Sequence, residues 1–347
     1  MRHGATSLCV SLIFGSISAI VGAAAATPSD TAVMRVGNVL GDPAPGQEPH
    51  HMVRTQRYFA KLVWEKTGGS VEVRFLEGKS LPTFQMPAMV GKGEIEATNV
   101  PGFFFTKVPE LGVQTIPYLF EGLEHARRFP RSRAADYLAA KIEDAYGVHV
   151  VSFLKIASSA SINSLEPIRL PEDFEGKKIA NIWELYETMY QDYPPAHLRG
   201  VGYTESVEGG LVTGEFDVAI GQLQNNHFQK LYEYYKHQTT ASWLYNIYYT
   251  FVVNTDFWDS LTPEQHVAID EAAREAESAA ITFAEQAAQR HFELMAEEGV
   301  SMHRQTKSER EAWKAAFEKP VVDAVLAKSE DAEATKHLIQ SIKNLYP

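Results

Sequence analysis

Apolar positions recur along this chain with two alternating periods, one suited to strands and one to helices. The near-continuous apolar run "VMRVGNVL" (33–40) predicts a buried strand that ends in the turn-rich "GDPAPGQEP". After Pro49, the residues Met52, Phe59, Leu62 and Val63 return at helical spacing, and "KTGG" supplies a glycine stop. "SVEVRFLEG" (70–78) alternates as a strand does, a short helix is expected over Met86–Val90, and "GEIEATNV" reads as a further strand. This β-α-β-α-β order predicts a parallel sheet with right-handed crossovers, hence an α/β fold.

The pattern continues with a helical stretch over 122–145 and the strand "VHVVSFLKI" (148–156). A second set of units follows: strand 177–181, helix 183–192, helix 204–213, strand 216–220, helix 223–236 and strand 245–254. Thr262-Pro263-Glu264-Gln265 places Thr at a helix cap, Pro at the first helical position and Gln where a capping box needs it. The helical pattern from there to about Glu298 covers more than ~50 Å at about 1.5 Å per residue, longer than one small domain is wide. Two further helices, 307–328 and 331–344, close the chain. There is no repeat and no Pro- or Ser-rich linker, so the two halves are expected to be joined by crossing strands that act as a hinge.

The first 26 residues stand apart. Arg2 and His3 precede an apolar run from Leu8 to Val21, and the small residues of "GAAAATPSD" follow. That is the order of a cleaved secretory signal, with cleavage expected after Ala26; a membrane anchor needs about 20 apolar residues. The single cysteine, Cys9, falls inside this segment, which leaves the exported chain without disulfide or thiol chemistry. No other segment is long and apolar enough to span a bilayer. With 347 residues, 45% of them hydrophobic, the chain can bury the cores of two domains. Its formal charge of −12 removes the basic face that nucleic acid or anionic lipid requires. Export, solubility and a periplasmic location are therefore expected, with no nucleic-acid partner and no insertion into the membrane after cleavage.

Catalytic motifs are missing. There is no G-x-S-x-G, no Walker loop, no G-x-G-x-x-G after a strand and no H-E-x-x-H. His50 and His51 are adjacent, so on a helix their rings diverge and do not share a metal. The acidic residues of Glu271–Glu277 fit a solvated helix face. No catalytic residue, metal or cofactor is expected. An exported two-lobed α/β protein without catalytic machinery is most simply a receptor that closes on a small-molecule ligand.

Several stretches carry a resemblance. "RVGNVL", "FAKLVWEKTGGSVEVRF", "GVQTIPYLFEGLEHARRF", "INSLEPIRLPEDFEGKKI" and "FVVNTDFWDSLTPEQHVAI" resemble, in order and over about residues 33–300, the substrate-binding subunits of tripartite ATP-independent periplasmic (TRAP) transporters, the DctP-like family. The resemblance implies a two-lobed periplasmic solute-binding fold with crossing strands and a long helix spanning both lobes. Lobe I would comprise 27–154 with about 245–280, and lobe II 155–244 with about 281–347. It also implies TRAP membrane permease subunits as partners, driven by a sodium gradient.

The resemblance further implies a ligand site from which this chain departs. Where the family has an arginine after "K-I" that grips a carboxylate, this chain has Ala180. A second family arginine, about four residues before an asparagine that matches Asn163, falls near Ser159. The family's later "D-G-Q-E-N-P" corresponds to Asp217 followed by "VAIGQLQNN", where Gln222 or Gln224 is the polar candidate. Without an arginine–carboxylate pair, burying a simple carboxylate is costly, so a simple organic acid is not expected as the ligand. Aromatic and acidic residues are expected at the rim: Phe84, "VPGFFF", Trp183, Glu184, Tyr203, Glu205, Trp243, Tyr245 and Tyr248, with Asn99 and Ser159 as polar contacts. Such walls suit a small amine held by cation–π contacts and Glu184, or else a neutral polyol or sugar; a zwitterion held by Arg199 stays open. Each tyrosine also fits a packed core. Two other roles are consistent with the chain: a sensor subunit that docks on a signalling receptor, and an enzyme with Glu184 or Asp217 as general base.

Overall fold

The computed structural model describes residues 31–41, 43, 47–76, 81–155, 159–181, 199–200 and 216–346. Two sheets organise them. The first contains β1 (Ala32–Asn38), β2 (Val71–Phe75), β3 (Ala97–Pro101), β4 (Val148–Lys155) and β10 (Tyr248–Asn254), in the order β2-β1-β3-β10-β4. β1 runs parallel to β2 and β3, as the β-α-β order predicts. β10 arrives from the other half of the chain without a crossover helix and lies antiparallel between β3 and β4.

Helix α1 (His51–Lys66) covers one face of this sheet, with Phe59 against Phe251 at a ring separation of 4.9 Å. The helical stretch expected over 122–145 is two helices, α3 (Leu123–Arg128) and α4 (Arg133–Tyr146), divided by a turn at Phe129–Arg131. Pro130 lacks the N–H that a continuous helix needs, and Ser132 Oγ starts α4 by accepting from Ala135 N–H. Phe129 from this turn packs on Phe153 and Tyr248 of the other face. Between these elements α2 (Met86–Gly91) runs so close to α4 that a Cβ on Gly91 would lie 2.0 Å from the Tyr146 carbonyl oxygen.

The second sheet has six strands: β5 (Ser159–Ser164), β6 (Ile179–Asn181), β7 (Arg199–Gly200), β8 (Val218–Gln222), β9 (His237–Ser242) and β11 (Ser301–Arg304). Their order is β11-β9-β5-β8-β6-β7. The chain passes between the sheets at β4→β5, at β9→β10 and again between β10 and β11. Expected helix 223–236 is only α5 (Leu223–Phe228) and a short turn at Leu231–Glu233, after which β9 begins. Expected helices 183–192 and 204–213 lie outside the described residues.

After α6 (Thr255–Asp259), α7 (Pro263–Glu297) is a 35-residue helix opened by the expected capping box: Thr262 Oγ1 accepts from Gln265 N–H, and Gln265 Oε1 accepts from Thr262 N–H. Ala268, Ala272, Ala276, Ala280 and Ala284 form a buried stripe of small side chains that brings it close to its neighbours. It packs on α1 and β4 of the first sheet's lobe and on α5 of the second. The last helices, α8 (Lys307–Lys328) and α9 (Ala332–Lys343), lie partly against the first lobe, where 281–347 was expected with the second. His125 Nε2 meets the Ile342 carbonyl at 2.6 Å, and Arg128 donates to the Leu345 carbonyl at 2.9 Å.

Candidate functional site

Ala180 lies in β6, paired with Ala219, and packs in a small apolar cluster with Phe216, Ala219, Leu231 and Tyr235. The second sheet therefore carries hydrocarbon where the family resemblance called for a cation. Asp217 beside it is structural, accepting from Lys178 N–H at 2.8 Å while its own N–H donates to the Lys178 carbonyl. Asn163 is also a tie between strands: Nδ2 donates to the Ala219 carbonyl at 3.0 Å, and Oδ1 accepts from Gln238 Nε2 at 2.7 Å.

A buried cation stands in the first sheet. Lys155 ends β4, opposite Tyr248 in the antiparallel ladder, and is only 1% exposed. Its Nζ lies 4.9 Å from the Tyr248 ring centre and 5.6 Å from that of Trp243. The amine's hydrogen bond within the protein is a long one, 3.5 Å to Asn246 Oδ1, and among the described residues no carboxylate pairs with it. Burial pushes its pKa well below the usual lysine range.

The groups around Lys155 share its unused donor capacity. Gln114 takes Asn246 N–H on its carbonyl at 2.9 Å and Tyr248 N–H on Oε1 at 3.2 Å. These bonds fix the amide orientation and leave Gln114 Nε2 buried without a partner among the described residues. Asn246 Nδ2 is likewise buried and unpaired, its Oδ1 being turned to the lysine. Gln114 also requires Gly102 of "VPGFFF", since a Cβ there would lie 2.9 Å from Gln114 Oε1. Trp243 adopts φ +69 and Tyr118 φ +55, a region that bulky residues rarely occupy. Tyr118 N–H donates to the Trp243 carbonyl at 2.8 Å, holding the crossing segment in place. Two unpaired amide N–H donors beside a buried amine that makes one long hydrogen bond suit a ligand rich in acceptors.

The remaining expected contacts are scattered. Trp183, Glu184 and Tyr203 lie outside the described residues, as does Glu205. Trp243 and Tyr248 do come together, but the cation on their faces is the protein's own lysine; the Tyr248 hydroxyl donates to the Ala126 carbonyl at 3.1 Å. Tyr245 is buried. Phe84 is 61% exposed, its ring resting on Phe104. Asn99 is on the opposite face of the first sheet from Tyr248, beside Asn38, with both amide atoms buried and unpaired. Ser159 begins β5 opposite Ser242. Gln222 ends β8 with Oε1 buried and, among the described residues, unpaired. Gln224 crosses between lobes: its Oε1 accepts from the backbone N–H of His51, at 3.1 Å, and contacts His51 Nδ1. Sequence reading missed Lys155, Gln114 and Asn246; the one signal in the chain was a lysine inside an otherwise apolar strand, "VVSFLKI".

Among the described residues no group of three His, Cys, Asp or Glu side chains could hold a metal ion, and no helix is long and apolar enough to cross a membrane. Residues 45–329 match the family model of DctP, bacterial extracellular solute-binding protein, family 7. The C4-dicarboxylate-binding periplasmic protein DctP of Rhodobacter capsulatus is 25% identical over 269 residues, 74% of this chain and 77% of that one. The fold is similar to that of a TRAP periplasmic solute-binding protein from Ochrobactrum anthropi, solved with its C-terminus in the ligand-binding pocket (TM-score 0.78, 22% identity, 90% of this chain and 95% of that one). It is also similar to one from Desulfovibrio desulfuricans with bound sn-glycerol-3-phosphate (TM-score 0.79, 18% identity, 91% and 98%).

Proposed function

The chain belongs to the bacterial extracellular solute-binding proteins of family 7, and from that premise we propose that it is the solute receptor of a TRAP-type uptake system for a small anion, bound at Lys155. Members of this family are periplasmic, non-enzymatic receptors that bind a small ligand and work with TRAP membrane subunits. The cleaved signal peptide at 1–26 is part of this proposal, and that segment lies outside the described residues.

The observation that carries the ligand's charge is the buried amine of Lys155, which among the described residues has no carboxylate partner, beside the unused donors of Gln114 and Asn246. A carboxylate or phosphate oxygen there gains charge-assisted hydrogen bonds and supplies the counter-charge the site lacks. An ammonium ligand would meet the lysine's own charge. The amine expected from the sequence rested on Glu184, outside the described residues, and on aromatics that face Lys155. Relatives with anionic ligands in their names, a C4-dicarboxylate and sn-glycerol-3-phosphate, fit the same charge. No observation favours the sensor role.

In mechanism, the ligand bridges groups of both lobes and stabilises the shut form by its differential affinity for it. A thermal-shift panel of small mono- and dicarboxylates, phosphate esters, amines and polyols tests the assignment, because only compounds that bind the folded chain raise its melting temperature. The reading expects stabilisation by anions; stabilisation confined to amines overturns it.

A further inference from the structure

Four histidines from three separate stretches of sequence meet where the lobes touch. His50 and His51 open α1 in the first lobe, with ring centres 4.2 Å apart. His227 lies in α5 of the second lobe, and its ring is 4.9 Å from that of His291 on the long helix α7. The cross-lobe bond from His51 to Gln224 sits in the same cluster. His50, His51 and His291 are almost fully buried. We propose that this imidazole cluster is a clasp that holds the lobes together while its rings are neutral and releases them when they are protonated.

The cap on α1 requires a neutral ring at His50. His50 caps α1 by accepting Met52 N–H on Nδ1 at 3.1 Å. Protonation there would destroy the cap and set a positive charge at the positive end of the helix dipole. Among the described residues neither nitrogen of His291 has a hydrogen-bond partner, and the same holds for His227 Nδ1. An added proton would thus find no acceptor. The other charged groups facing the rings come from α7 and its end. Arg290 lowers the pKa of His227 and His291, and Glu298 raises that of His227. Gln224 and Asn225 of α5 are neutral, and Phe228 and Tyr232 present aromatic rings to His291 and His227 respectively. Burial is the largest influence on His50, His227 and His291, and it lowers all three; His291 falls to about 4.

The direction follows from linkage. A base whose pKa is depressed in the clasped form stabilises that form fully above its exposed value near 6.5. The stabilisation is lost as pH falls toward the clasped value. For His291 alone, moving from about 4 to the exposed value lowers the closed-to-open ratio by up to roughly 30-fold at pH 5. This inference needs lobe closure but not an anionic ligand, so it can fail while the ligand assignment stands, and the reverse.

The test uses the full chain without ligand, with Cys9→Ser and nitroxides at Lys61→Cys on α1 and Glu233→Cys beyond α5. Inter-label distances are measured by pulsed electron resonance at pH 7.5 and pH 5, with helix content followed by circular dichroism. The expected result is a shift to longer distances at pH 5 with helix content retained. His50→Asn with His291→Gln, which keeps a capping side chain but removes both titrating rings, should flatten the shift. His227→Gln, at the less buried ring, reports separately should the double variant not fold. A distribution that is the same at both pH values, or an equal shift in the variants, overturns the proposal.

Discussion

Replacing Lys155 with methionine separates the two things a buried lysine can be, a structural element or a binding group. Methionine keeps the length and hydrocarbon of the stem and removes the amine. In the ligand-free protein that amine has lost its water and holds one bond of 3.5 Å. Removing it relieves a desolvation cost, set against the one acceptor left unpaired at Asn246. The net gain should be about 1–2 kcal/mol, a rise in melting temperature of roughly 1–2 °C for each kcal/mol in a chain of this size. With an anion bound the balance reverses. A carboxylate left unpaired in a buried site costs ~3–5 kcal/mol, which is about two to three and a half orders of magnitude in Kd. Thermal unfolding of the ligand-free variant and calorimetric titration with a carboxylate that stabilises the wild type measure both halves. The reasoning is refuted by a ligand-free variant destabilised by more than about 2 kcal/mol, or by a Kd within threefold of wild type.

Other outcomes follow from the same contacts. Ala180→Arg restores the family's cation at a position enclosed by Phe216, Leu231 and Tyr235; it should destabilise by ~1–3 kcal/mol or more from overpacking and fail to tighten anion binding, as denaturant unfolding and titration would show. Asn163→Ala strips partners from the Ala219 carbonyl and from Gln238 Nε2, and urea unfolding should report a loss of about 2–4 kcal/mol. Lys155 is held below the usual lysine range in the free protein, and an adjacent anion raises it, so the complex binds more protons than its parts. Affinity should therefore fall as pH rises above the free-state value, and titration in two buffers of different ionisation heat should reveal proton uptake; no dependence on buffer would count against the ion pair.

The sequence pattern was most informative where burial follows hydrophobicity. β1, α1 and the capped helix α7 all begin and end within a few residues of their expected limits. It failed in the second sheet, where β5 and β9 bury Ser161, Asn163, Gln238, Thr239 and Thr240. Asn163 bonds Gln238, while Ser161, Thr239 and Thr240 bond backbone carbonyls, so no apolar alternation marks the strands, and neither β5 nor β9 was expected from the pattern. The site was legible only in part. The lack of charge at Ala180 is plain in the sequence, but it pointed away from an anion, and a lysine in sequence reads as an exposed residue. Lys155 is buried once the fold sets the ladder partner Tyr248 and the crossing segment at Trp243 beside it. The histidine clasp is less legible still, because positions 50, 227 and 291 become neighbours only when both lobes and the long helix are in place.

The most direct test of the central claim is a crystal structure of the chain with a carboxylate that stabilises it. The account predicts a carboxylate oxygen within about 2.7–2.9 Å of Lys155 Nζ, with Gln114 Nε2 and Asn246 Nδ2 turned toward the same ligand. A carboxylate held by another cation, with Lys155 still unpaired, would contradict it.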